Sequence, residues 1–337
     1  MGIIQAQVDV VLYWVDGSDE EWLQEYSLYK QSSVSRFRDL GTLKYVFRGI
    51  EKNMPWVRKI HFITNGQKPS WLNLDNDKLA FHTHKDIFFD QNHLPVFNSS
   101  AIEANFANIP GLSENFILFN DDMFILKPLP IERFFHENKP VDYLRLSYPR
   151  SGFLYEFLKP QNVVAAKFIT NGINHLKGCY VSLKLLPHIF NKNFSFKTLV
   201  NNLFFSSLIR IKWFDIYHHP QPHLKSTWQK IREDNLELLQ NTSKSKFRSG
   251  TDVNQYIYRF RNLLDGCFHP AEYNDHSSYY LKDVNAFIKD GQTLFDSYSL
   301  LCICEDEGIN DTDFERVKQS MDSFLIKHLG SKSSYEK

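Results

Sequence analysis

Several short stretches of this 337-residue chain gather residue types that can do chemistry. Asn120-Asp121-Asp122 follows the apolar run Asn115–Phe119, which reads as a buried strand. Adjacent carboxylates at a strand end offer the hard oxygen ligands that Mg²⁺ or Mn²⁺ prefers, and such an ion bridges phosphate oxygens. One aspartate can instead take a proton from a sugar hydroxyl. A plain turn with a helix cap uses the same residues. Arg36-Phe37-Arg38-Asp39 precedes an amphipathic segment. Its two guanidinium forks suit a diphosphate, or ion pairs with nearby acids. His218-His219-Pro220-Gln221-Pro222-His223 sets three imidazoles in six residues. The prolines keep that segment extended, so one histidine acting as a general base fits better than joint chelation of zinc. Asp16-Gly17-Ser18-Asp19 ends another strand-like run and reads either as a ligand loop or as a turn with a cap. Lys244, Lys246 and Arg248 form a basic cluster suited to phosphate or to a solvated helix end.

The elements that must position these residues follow from the pattern. Val8–Val15 is a compact β-branched and aromatic run and reads as a strand. Leu43, Val46, Phe47 and Ile50 have helical spacing, stopped by Asn53 and Pro55. Val57–Thr64 and Leu79–Thr83 read as strands, the first ending in an Asn65-Gly66 turn. Asn98 or Ser99 caps a helix carrying Ile102, Phe106 and Ile109. This alternation predicts an α/β fold: a Rossmann-like or GT-A-like, mainly parallel sheet flanked by helices, with a helical C-terminal part. The reading is one domain over 1–330, with an α/β core at 8–147, an irregular insertion at 148–225 and a helical part at 226–330 that completes the site. Thr312-x-x-Glu315 reads as a capping box opening the last helix, and 331–337 as a frayed tail.

Composition excludes several functions. Lys+Arg and Asp+Glu both total 39, so the net charge is zero and bulk attraction to nucleic acid is not expected. Hydrophobic residues at 42% and charged residues at 23% suit a folded chain rather than a disordered one. Aromatics at 15% supply buried area and flat walls for sugar or base rings. No run approaches the roughly 20 apolar residues of a membrane span, and the amino terminus shows no secretion signal. Four cysteines are too few and too uneven for a disulfide framework. Cys302-Ile303-Cys304 lacks the two-residue gap and a second ligand pair, so it reads as two thiols on one face of a strand rather than a metal site. A reducing, cytoplasmic setting is expected. No glycine-rich dinucleotide loop or Walker loop occurs.

Four blocks together resemble the Stealth family of sugar-1-phosphate transferases, which includes capsular polysaccharide phosphotransferases and the enzyme that tags lysosomal hydrolases. The first block is Asp9 through Asp19. The second runs from Arg36-Phe37-Arg38-Asp39 through Pro55-Trp56-Val57-Arg58, Pro69-Ser70-Trp71-Leu72 and Phe97 to Glu103 as far as Phe119-Asn120-Asp121-Asp122-Met123-Phe124. His219-Pro220 with Phe247-Arg248 resembles the third, and Leu301-Cys302 through Asp311 the fourth. The resemblance implies a UDP-sugar donor such as UDP-N-acetylhexosamine. An acceptor saccharide hydroxyl would attack the phosphorus bonded to the sugar, UMP would leave and a phosphodiester would form in capsule or surface polysaccharide synthesis. It implies that Asp121 and Asp122 hold Mg²⁺ or Mn²⁺ or activate the acceptor, and that Arg36, Arg38 and Arg248 meet the donor phosphates. Asp16 and Gly17 would shape the nucleotide pocket, Asn98 and Ser99 would hydrogen-bond the donor, and His219 or His223 would be the base. A membrane-bound capsule-assembly complex at the inner face of the membrane is an expected partner. Two rival readings are an ordinary glycosyltransferase that forms a glycosidic bond and releases UDP, and a non-catalytic carbohydrate-binding scaffold.

Overall fold

The structure, a computed structural model, describes residues 7–30, 38–147, 150, 152–158, 163–176, 185–206, 214–305 and 309–337. Its strands are β1 (Val8–Tyr13), β2 (Ile60–Thr64), β3 (Leu79–Thr83), β4 (Asn115–Phe119), β5 (Met123–Ile125), β6 (Phe135–His136), β7 (Lys139–Asp142), β8 (Gln221–Leu224), β9 (His269–Pro270), β10 (His276–Leu281) and β11 (Leu300–Glu305). The central sheet has the order β3-β2-β1-β4-β8. Its first four strands are parallel and β8 closes one edge antiparallel. The fold is α/β with a mainly parallel sheet, as the alternation predicts.

Parallel strands buried on both faces read as continuous apolar runs, and β1, β2 and β4 do so. Side chains alternate along β1: Val10 and Leu12 enter one core, Val11 the other. The first core is roofed by the helix Leu43–Asn53, whose Val46, Phe47 and Ile50 are fully buried. Gly49 on that helix lies so close to β5 that a Cβ there would sit 2.8 Å from the Ile125 carbonyl oxygen. The opposite core holds Trp228 and Ile257 from the helices Lys225–Asp234 and Tyr256–Asp265. Beside the main sheet, β5 pairs antiparallel with β11, which pairs parallel with β10.

Several boundaries differ from expectation. The helix begun at Ser99 stops at Glu103, because Asn105 folds back to donate its Nδ2 to the Ala101 carbonyl at 2.9 Å. A separate single turn, Phe106–Asn108, follows. The described residues of 148–225 are not mainly irregular: they include the helices Phe153–Leu158, Val163–His175, Leu186–Ile189 and Phe196–Ser206. Residues 226–330 also carry β9, β10 and β11. Asn310, not Thr312, caps the last helix, Asp311–Leu329, by accepting from the Asp313 N–H at 2.9 Å.

The tail is not frayed. Tyr335 is buried against Phe47, and Leu72 bridges to Glu336. Arg48, itself buried in the first-core helix, donates from Nε and Nη2 to the two Glu336 carboxylate oxygens, each at 2.7 Å. Removing one partner of a buried ion pair costs about 3–5 kcal/mol. Glu336→Ala is therefore expected to lower the unfolding free energy in urea by about 3 kcal/mol. A loss below about 0.5 kcal/mol would make the pair dispensable.

Candidate active site

Leu12 of β1 stands opposite Phe119 of β4, so the segments after both strands open on one edge of the sheet. A cleft of about 600 Å³ lies there. The turn Asn120–Asp122 forms its floor, held by Met123 N–H to Asn120 O at 3.3 Å and by Ile303 N–H of β11 to Asp122 O at 3.1 Å. Distant segments complete the lining. Arg38 and Asp39 come from before the first-core helix, Glu103 from the helix Ser99–Glu103, His218 from the loop before β8, and Arg248 from the loop after the helix Leu236–Lys244. Among the described lining residues, four carboxyls (Asp39, Glu103, Asp121, Asp122) face four cationic groups (Arg38, Arg150, His218, Arg248). A second hollow of about 210 Å³ adjoins, walled by Trp14, Trp22 and Phe97. Arg38, Arg248, Ser99 and Asp121 belong to both hollows and stand at their junction.

Enclosure separates these carboxyls by protonation. Asp121 is pushed up to about 8 by burial and by the charges of Asp122 and Asp39. Glu103 is pushed up to about 7 by burial, only partly opposed by the Gln255 N–H at 2.7 Å and the Tyr13 hydroxyl at 3.0 Å, which donate to its two oxygens. Burial works against charge on His218, but Asp122, 3.4 Å from its Nε2, outweighs that and raises it to about 9. At neutral pH the cleft therefore keeps its cations while Asp121 holds its proton. Arg38 and Arg150 also pair with Asp311 and Asp215 beyond the lining, at 3.2 and 3.8 Å.

The structure brings together Asp121, Asp122, Arg38, Ser99 and Arg248, the last donating to Ser99 Oγ at 3.1 Å. It leaves four other expected site residues out of both hollows. His219 is buried, stacked on Tyr217 with centroids 3.9 Å apart, its Nδ1 2.7 Å from the Pro220 carbonyl. Burial holds it well below the usual histidine range. His223 lies on β8, fully buried between Phe116 and Trp228, and burial lowers it to about 3. The two adjacent histidines part company: His218 lines the cleft beside Asp122, whereas His219 packs inward on Tyr217 and His276. Asp16 and Gly17 line neither hollow. Asp16 accepts from Ser18 N–H at 2.8 Å and exchanges two bonds with Gln67, while Trp14 and Val15 form the nearby wall. Asn98 reaches the second hollow, but its amide is engaged as a cap for Ser100 and a donor to Asp252 at 2.9 Å. Arg36 lies outside the described residues.

Glu103 is the group that the residue-by-residue reading left without a role. Its signal was present: a glutamate four positions after Ser99 shares that residue's helix face. A hard divalent cation fits the floor. Asn120 Oδ1 and Asp122 Oδ1 are buried with no hydrogen-bond partner among the described residues. One or two such oxygens, completed by substrate phosphates, suit Mg²⁺ or Mn²⁺.

The chain is similar to several known proteins. Residues 36–142 match Stealth protein CR2, conserved region 2. The chain is 31% identical to the capsular polysaccharide phosphotransferase WcwK of Streptococcus pneumoniae, over 98% of each chain. It is 31% identical to an exopolysaccharide phosphotransferase of Lactiplantibacillus plantarum, covering 98% of this chain and 96% of that one. The receptor polysaccharide phosphotransferase WefC of Streptococcus gordonii matches at 31% over 98% of this chain and 99% of its own. Among solved structures, the galactosyltransferase LgtC covers 97% of this chain and 98% of its own, at 11% identity and a TM-score of 0.41.

The His218–Asp122 pair is directly testable. Asp122→Asn removes the anion and leaves the burial, so the His218 pKa should fall from about 9 to below neutrality. Ring-nitrogen NMR should show imidazolium at neutral pH in the parent and neutral imidazole in the variant. An imidazole already neutral in the parent would contradict the pairing.

Proposed function

Because the chain belongs to the Stealth family and is a transferase of phosphorus-containing groups, we propose that it moves a hexose-1-phosphate from a UDP-sugar to a saccharide hydroxyl in surface polysaccharide synthesis. N-acetylhexosamine-1-phosphate is the group proposed. The observation that carries this reading is the junction. Arg38, Arg248 and Asp121 stand where an aromatic-walled hollow meets a larger polar cleft. A nucleotide, a pyrophosphate and a sugar in line need that arrangement: a flat wall for the base, cations for the bridge and polar room for sugar and acceptor.

In this reading the acceptor oxygen attacks the β-phosphorus and its proton passes to the Glu103 carboxylate. The bond from that phosphorus to the bridging oxygen breaks, and its electron pair leaves with UMP. The sugar–oxygen bond stays intact. Arg38 and Arg248 neutralise phosphate charge, and Ser99 orients Arg248. His218, kept cationic by Asp122, adds positive charge to the same rim. Asp122 and Asn120 would hold Mg²⁺ or Mn²⁺, which supplies further charge neutralisation at the phosphates.

Incubation with UDP-sugars and capsule-type oligosaccharides, followed by phosphorus NMR, is expected to show UMP and a sugar phosphodiester. UDP with a glycosidic product would replace this reading with the glycosyltransferase one, and no turnover with any donor would favour a scaffold. The rate should rise with pH through about 7 as Glu103 ionises and fall through about 9 as His218 loses its proton. Glu103→Gln should lower kcat/KM by roughly 10²–10⁴-fold and remove the rising limb.

The acceptor side of this reading includes a membrane. Among the described residues, no helix is long and apolar enough to cross one. The helices Phe153–Leu158 and Phe196–Ser206 nevertheless expose Phe153, Phe157, Phe196 and Leu203, with Phe153 at 86% and Phe196 at 80%. From 157 to 214 the chain has no acidic residue and eight Lys and Arg. Exposed apolar side chains on a stretch whose sequence is rich in Lys and Arg suit the surface of an anionic bilayer. This stretch also borders the cleft through Phe168 and Ile169. The chain is expected to float with phosphatidylglycerol vesicles at low salt, and a Phe196→Glu, Leu203→Glu double variant should lose roughly tenfold in partitioning. Equal flotation of parent and variant would remove these helices from the contact.

A further inference from the structure

Beside the phosphate junction, two cysteines with no role in the reaction above stand against Asp122 and His218, which have one. Asp122, His218, Cys302 and Cys304 each offer one donor atom, and all four atoms lie within 4.8 Å of one another. They come from three separate segments: the turn after β4, the loop before β8, and β11. The pairing of β11 with β5 sets Cys302 opposite Met123, next to Asp122. Alternation along β11 then points Cys304 to the same face as Cys302, and Cys304 reaches the cleft.

The separations have a meaning. The two Sγ atoms are 3.7 Å apart, and His218 Nε2 is 3.4 Å from Asp122 Oδ2. A tetrahedral zinc ion has bonds of about 2.3 Å to sulfur and about 2.0–2.1 Å to nitrogen and oxygen. Those lengths give edges of about 3.8 Å between two sulfurs and about 3.3 Å between nitrogen and oxygen. Two opposite edges of the tetrahedron thus already stand at metal-bound length. The sulfur-to-nitrogen and sulfur-to-oxygen edges, at most 4.8 Å now, need only contract toward about 3.6 Å.

We propose that Cys302 Sγ, Cys304 Sγ, His218 Nε2 and one Asp122 oxygen bind a thiophilic divalent cation of the Zn²⁺ class. The donor set of two sulfurs, one nitrogen and one oxygen selects such an ion over Mg²⁺, which takes oxygen ligands. Coordination displaces both thiol protons and the His218 Nε2 proton into solvent, and the ion's charge replaces the imidazolium's beside Asp122. The consequence rests on the proposed transfer reaction: an ion seated there withdraws Asp122 and His218 from the phosphate rim. The site is then an inhibitory one, occupied when soft metal is plentiful.

The test uses the full chain in a non-thiol reductant, titrated with Co²⁺ as a spectroscopic substitute for Zn²⁺. About one Co²⁺ per chain is expected, with a thiolate-to-cobalt charge-transfer band and the intense visible bands of tetrahedral cobalt. Stoichiometric Zn²⁺ should bleach these bands and excess Mg²⁺ should not. Cys304→Ser, at a half-buried position, should cut the charge-transfer band by roughly tenfold while circular dichroism shows the fold retained. Cobalt binding without a thiolate band, bleaching by Mg²⁺, or a full band in Cys304→Ser would each overturn the proposal. The readout needs neither donor nor acceptor. An inactive protein with the thiolate band would therefore sink only the transfer reaction, and an active one without it only the soft-metal site.

Discussion

Two adjacent carboxyls in one low-dielectric hollow are the constraint that shapes this molecule. Two like unit charges about 4 Å apart repel by about 4 kcal/mol at an effective dielectric of about 20. Asp121 and Asp122 face that repulsion on a turn fixed by β4 and β5, with Asp39 close enough to add to it. The structure answers in two ways. Asp121 keeps its proton, and Asp122 takes His218 as a counter-charge. Every cation that serves the hollow comes from elsewhere in the chain, and much of the topology delivers them. The antiparallel strand β8 runs along β4 and brings His218 to the strand ends. Packing of the helix Leu236–Lys244 against the helix Ser99–Glu103 carries Arg248 to Ser99.

The same residue type shows the opposite outcome at the other end of β1. Burial alone would raise the Asp9 carboxyl, yet Arg58, His61 and the Ser113 N–H together hold it well below the usual carboxylate range. Arg58 Nε donates at 2.8 Å and the Ser113 N–H at 2.8 Å. One aspartate is thus a permanently charged brace between strands, and another a near-neutral proton holder. Nothing in residue identity separates them; the count of donors aimed at each carboxylate does. Among the described residues the raised carboxyl values of Asp39, Glu103 and Asp121 gather at the cleft, which is the pattern of a reacting site rather than of a structural one.

Much was legible beforehand. The apolar runs Asn115–Phe119 and Leu79–Thr83 are strands at those bounds, and the helix Leu43–Asn53 stops at the expected residue. These elements are set by local periodicity and by breakers, so they survive without knowledge of partners. The readings that shifted depend on contacts from afar. The tail 331–337 is ordered because Glu336 and Tyr335 pack onto Arg48 and Phe47, nearly three hundred residues earlier. Asn310 takes the cap from Thr312 because its side chain is the one that reaches the Asp313 N–H. His218 takes the place of His219 and His223 because it is the one that reaches Asp122, where the chain enters β8 alongside β4.

The sequence by itself determined the alternation of strands and helices, the acid pair at a strand end, the arginines and the order of the family's blocks. Those are properties of neighbours along the chain, where spacing translates directly into shape. Only the tertiary structure decided which carboxyl holds a proton, which histidine is charged, that Glu103 enters the cleft, and that two cysteines meet Asp122. Each of these depends on desolvation and on charges only a few ångströms away, supplied by segments far apart along the chain, and no local pattern encodes such distances.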